Sequence, residues 1–166
     1  MPKFCLQSII IFFCLTSCTT NNHDPKTEDK NPQIESKVSL SPSVDTFVLI
    51  KFDKNIMLNW DNKTGRIKED SLFNKIISDF ENNKYVLINK LADTSETKAM
   101  TCHKNLVVGD LAFLIIDKVK QLPFFEITKV QCDHFTNECP YPEGYFEVIG
   151  RDRIKIKKEV SSLLLK

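Results

Sequence analysis

The chain has 166 residues, with 23 basic and 22 acidic side chains, a formal net charge of +1 and 42% hydrophobic residues. A balance so close to neutral argues against nucleic acid as a partner and against a polybasic grip on anionic lipid. The length allows one modest core and not two, and twelve Phe against one Trp make phenylalanine its main aromatic filling.

Residues 1–18 read MPKFCLQSIIIFFCLTSC. Lys3 supplies a positive leading region, and Ile9 to Leu15 form an apolar run too short to span a bilayer as a helix. Leu15-Thr16-Ser17-Cys18 resembles the lipobox of bacterial lipoprotein signal peptides. The resemblance implies that residues 1–17 are removed and that Cys18 becomes an acylated N-terminus, palmitate included, which anchors the protein to a membrane of the cell envelope. Each buried methylene contributes about 0.8 kcal/mol, so two or three chains hold where one binds reversibly. The aspartate that retains many such proteins at the inner membrane is Thr19 here, which favours the outer membrane in a cell that has one. Removing the signal takes away one lysine and no acid, leaving 22 basic and 22 acidic residues.

Residues 18–43 are polar and carry Pro25, Pro32 and Pro42. They hold too little apolar surface to offset ordering entropy and read as a flexible lipidated tether. A single globular domain is expected over 44–166. In its first segment, 44–60, two readings stand. Phe47 to Ile50 and Ile56 to Trp60 fit a β-hairpin turning at Asp53-Lys54-Asn55, whereas Val44, Phe47, Val48, Ile50 and Phe52 also lie along one helix. The helical pattern of residues 70–92 favours the helix.

Asp70 is placed to cap a helix whose apolar positions are Leu72, Phe73, Ile76, Ile77 and Phe80. Asn82-Asn83 reads as a break, after which Tyr85, Ile88, Leu91 and Ala92 continue on a second helix. Residues 93–105 read as a polar loop. The run NLVVGDLAFLIIDKVKQ leaves little polar face and reads as the central buried helix. Asp110 near its start and Lys118 and Lys120 near its end complement the dipole, Gly109 permits close packing at its entry, and Pro123 stops it. FFEITKV is one helical turn or a brief strand. Residues 131–144 form a loop, and two helices come after it, the last from about Arg151 with Ile156, Val160, Leu163 and Leu164 buried. The basic stretch 151–158 reads as a solvated helix face. The fold class expected is therefore mainly α: a helical hairpin domain with a short N-terminal β-hairpin as the variant. The segment 70–120 weakly resembles armadillo and HEAT repeats. The strings VGDLAFLIIDKV and CPYPEGYFEVI resemble parts of small secreted bacterial proteins of uncharacterised activity, which implies a compact module.

Three thiols lie outside the signal and lipobox: Cys102, Cys132 and Cys139. An oxidising compartment makes a disulfide the default. Cys132 with Cys139 closes one short loop and is the favoured pair, with Cys102 bridged to one of them as the alternative. Cys102, His103, His134, Cys132 and Cys139 could supply N and S ligands to zinc, but the spacing lacks paired C-x2-C knuckles, so no metal or other cofactor is expected. There is no G-x-S-x-G elbow and no phosphate loop, and the acid pairs sit at helix starts. Phe135 and Tyr141 in the constrained loop are the candidate partner surface, since rigid aromatics contribute contact area at low entropic cost. The leading function class is thus a protein-binding module on a membrane tether, of inhibitor or immunity type, rather than an enzyme. A structural envelope lipoprotein and a small Cys/His-dependent enzyme are the rivals.

Overall fold

A computed structural model describes residues 46–166. The lipobox, Cys18 and the tether lie outside the described residues. Strands β1 (Phe47–Lys51), β2 (Met57–Asp61) and β3 (Arg66–Ile67) form an antiparallel sheet in that order. Helices α1 (Ser71–Ser78) and α2 (Phe80–Lys90) come next, then an antiparallel ribbon of β4 (Glu96–Thr101) and β5 (Lys104–Val107). Helices α3 (Val108–Lys120), α4 (Phe124–Thr128), α5 (Tyr145–Arg151) and α6 (Arg153–Leu164) complete the domain. The expectation of a mainly α, HEAT-like fold is therefore overturned: five strands in two small sheets make this a mixed α/β domain.

The N-terminal segment is the β-hairpin and not the helix. Val48 and Ile50 are buried while Phe47, Leu49 and Lys51 face outward, the period of two that a half-buried strand requires. The Asp53 carboxylate accepts from the Asn55 and Ile56 N–H groups at 2.7 Å and fixes the turn. Gly65, in the left-handed region, closes the next turn, where a Cβ would collide with the Thr101 side chain.

Asp70 caps α1 through its carboxylate, which accepts from Leu72 and Phe73 N–H. The break between the first two helices falls at Asp79 rather than at Asn82-Asn83. Both asparagine N–H groups instead donate to the Asp79 carbonyl and belong to the first turn of α2. Ile77 and Tyr85, expected on the apolar face, are exposed.

The larger correction concerns 93–105. This polar-looking stretch contains β4, where Ala99 and Thr101 are buried and Lys98 and Met100 are not. Thr97 satisfies itself by donating its hydroxyl to the Leu106 carbonyl at 2.6 Å. The ribbon is tied to the first sheet by polar side chains: Trp60 Nε1 donates to the Met100 carbonyl at 3.0 Å, and the Asn62 Oδ1 accepts from Met100 N–H at 2.7 Å.

Helix α3 is the central element, with every residue from Gly109 to Ile116 buried. Phe113 packs edge-on against Phe124 and Tyr145. Asp110 does more than complement the dipole. Its Oδ2 accepts from Val107 N–H at 3.1 Å, and its Oδ1 pairs with Arg153 at 2.6 Å. Arg153 is thus one basic residue of 151–158 that leaves the solvated face, and it anchors α6 to α3. In α6, Ile156 and Val160 are buried as expected, but Leu163 is exposed.

Candidate functional site

Thr101 pairs with Lys104 across the β4–β5 ribbon, so Cys102-His103 is a two-residue turn. Both residues have positive φ, 49° and 61°, the backbone of a type I′ turn that normally selects Asn and Gly. Holding two side-chain-bearing residues there costs roughly 1–2 kcal/mol each. A covalent bond holds this tip: Cys102 is bridged to Cys139, with Cα atoms 5.1 Å apart. The pair expected within one loop, Cys132 with Cys139, does not form, and Cys132 is the free thiol. The physical reason is the unrecognised hairpin. Its turn delivers Cys102 to the middle of the 131–144 loop, a neighbour that spacing along the chain could not reveal.

The loop is closed at its base as well. Glu143 N–H donates to the His134 carbonyl at 2.8 Å, and the two side chains meet at 2.9 Å between His134 Nδ1 and Glu143 Oε2. Residues 134–143 therefore form an Ω-shaped loop with adjacent ends and a covalent tie near its crown. A third tie is Tyr141. Its ring stacks on Tyr145 at 5.8 Å and meets Phe146 edge-on at 5.1 Å, and burial pushes its hydroxyl up to about 12.

The two aromatic candidates consequently have different roles. Tyr141 is half-buried and packs against the core, so it offers a partner less surface than the sequence suggests. Phe135 is 61% exposed. His103 and His134 are also exposed, and the His103 Nε2 lies 4.0 Å from Glu138 Oε2 on the loop.

Compared with known proteins, the chain matches no family model, no curated protein and no solved structure. Its function must be argued from the site alone.

Beside the disulfide lies a cleft of about 450 Å³, bounded by the Cys102–Lys104 turn, the loop and the first turn of α5. Lys104 and Glu147 bridge one wall at 2.8 Å, and that hydrogen bond holds the Glu147 carboxyl below its usual range. The chemistry here is not that of a nucleophile. Cys102 and Cys139 are consumed by the bridge. Burial, with the negative charges of Asp133 and Glu147, pushes the Cys132 thiol up and keeps it protonated. Among the described residues, no three His, Cys, Asp or Glu side chains converge as metal ligands would. What the arrangement can do is present a fixed, partly apolar surface. The proximity of Lys104, Glu147 and Tyr145 was not legible in the sequence, because it arises only when the ribbon meets α5.

Proposed function

We propose that this chain is a lipid-anchored envelope protein that docks another protein through its stapled 134–143 loop, in the manner of an inhibitor or immunity protein. One observation carries the reading: the loop is fixed at its base, crown and Tyr141 while Phe135 extends into solvent. A large apolar ring held outward by a pre-ordered loop is costly to leave in water and inexpensive to immobilise on binding. The cleft that this loop borders carries charges of both signs, Glu138, Lys104 and Glu147, as suits a polar border near an aromatic anchor. The lipid and tether implied by the lipobox would confine the search for a partner to the membrane surface. Among the described residues no helix is long and apolar enough to cross a membrane.

The test is site-specific photocrosslinking in the native envelope, with the reactive group at position 135 and, as a control, at Ile154, which is 71% exposed on α6. A discrete adduct from 135 that is absent from 154 supports docking through the loop. Equal or no adducts at both sites would refute it.

A further inference from the structure

On the other flank of the same loop a second cleft, of about 270 Å³, opens between β3, α3 and Pro140-Tyr141. Four charged side chains line it: Arg66, Glu69, Asp117 and Lys118. Two satisfy each other, Lys118 Nζ lying 2.6 Å from Glu69 Oε1. The other two do not. Among the described residues, neither Arg66 nor Asp117 has an oppositely charged group within ion-pair distance.

The carboxylate of Asp117 is the more enclosed of the two. Its Oδ1 accepts from Leu122 N–H at 3.0 Å, and its Oδ2 has only the Tyr145 hydroxyl at 3.4 Å. Burial raises its pKa, so the folded protein holds an under-compensated anion. Arg66, Asp117 and the Tyr141 ring line the same cleft. The remaining walls are apolar: Ile67, Leu114, Pro140 and the Tyr141 ring.

We propose that this cleft binds a small zwitterion, an aliphatic α-amino acid, with its ammonium on Asp117, its carboxylate on Arg66 and its side chain against the Tyr141 wall. A simple cation would meet Arg66 and Lys118, and a simple anion would meet Asp117 and Glu69. A ligand carrying both charges answers both unpaired groups at once. Size points the same way. The volume corresponds to roughly nine water molecules and falls below the ~300 Å³ at which drug-sized sites begin. The inference is independent of protein docking, since it uses neither Phe135 nor the disulfide cleft.

The experiment is calorimetric titration of the full chain, purified in detergent, with L-leucine, with isoamylamine (leucine without its carboxylate) and with isocaproate (leucine without its amine). Alanine, valine and isoleucine of both hands complete the panel. At least one amino acid should bind saturably. For leucine, each single-charge analogue should bind at least tenfold more weakly. Arg66→Met, at an exposed position, should weaken amino-acid binding at least tenfold without altering the melting temperature, and Asp117→Asn should weaken it likewise. The proposal is overturned if no amino acid in the panel gives saturable binding up to about 10 mM. It is equally overturned if Arg66→Met binds as the wild type does, or if the amine or the acid alone binds as well as leucine.

Discussion

Replacing Asp110 with Ala should be the most damaging single change to a charged residue in this domain. Asp110 is 1% exposed, and its partner Arg153 reaches it with Nη2 at 2.6 Å from a side chain that is itself largely enclosed. Truncation strands the guanidinium, whose Nη1 already lacks a hydrogen-bond partner, and removes the acceptor for Val107 N–H at the start of α3. Breaking a buried pair from one side costs about 3–5 kcal/mol, against a total stability of about 5–15 kcal/mol for a domain. Urea unfolding followed by circular dichroism should show a large drop in midpoint with an unchanged slope. The double variant Asp110→Ala with Arg153→Met should be more stable than Asp110→Ala alone, because no charge remains to be buried without a partner. A loss below about 1 kcal/mol for Asp110→Ala, or strictly additive effects of the two changes, would refute the claim that this pair is desolvated and coupled.

The same geometry sets further expectations. Phe135→Ala should leave the melting temperature nearly unchanged, whereas Tyr141→Ala should cost about 2–4 kcal/mol by opening a hole beside Tyr145 and Phe146; equal effects in thermal melts would contradict the division between them. Replacing Cys102 and Cys139 together with Ser should cost about 4 kcal/mol on the loop-entropy scale for a 37-residue separation, read by denaturant unfolding, while Cys132→Ser should be close to neutral. Asp93, held down to about 2 from 3.8 by the Ser95 side chain, Lys90 and the Ser95 N–H, has a depressed folded-state pKa. Its contribution is therefore present above about pH 4 and lost as pH falls toward 2. Melting temperatures measured from pH 5 to 2 should fall less steeply for Asp93→Asn than for the wild type.

How far the fold could be read from the sequence depended on whether a pattern was local. The buried helix around Leu111 to Ile116 announces itself by apolar residues on nearly every face, and Asp70 by its position before Leu72 and Phe73. The ribbon was hidden because β4 alternates in Thr, Lys, Ala and Met rather than in large apolar residues. Half-buried Thr97 and buried Thr101 keep its composition polar while satisfying their hydroxyls internally or against Cys102. At 44–60 the local pattern fitted two periods, and tertiary context decided: β2 supplies Leu58 and Trp60 opposite Ile50 and Val48. The site suffered most. The correct disulfide partner and the placing of Arg66 and Asp117 in one cleft depend on segments far apart in the chain, and the packing of Tyr141 depends on how α5 sits on the core. Only the exposure of Phe135 was legible, since a constrained loop cannot send every ring inward.

The proposed docking depends on a loop stapled to a hairpin tip, and peptide mapping of the non-reduced protein extracted from membranes tests that staple most directly. After alkylation of free thiols and proteolysis, mass spectrometry should find one bridged peptide pair joining Cys102 to Cys139, with Cys132 alkylated. A bridge between Cys132 and Cys139, or three alkylated thiols in the native protein, would free the loop from the β4–β5 ribbon and contradict the rigid surface on which the proposed docking depends.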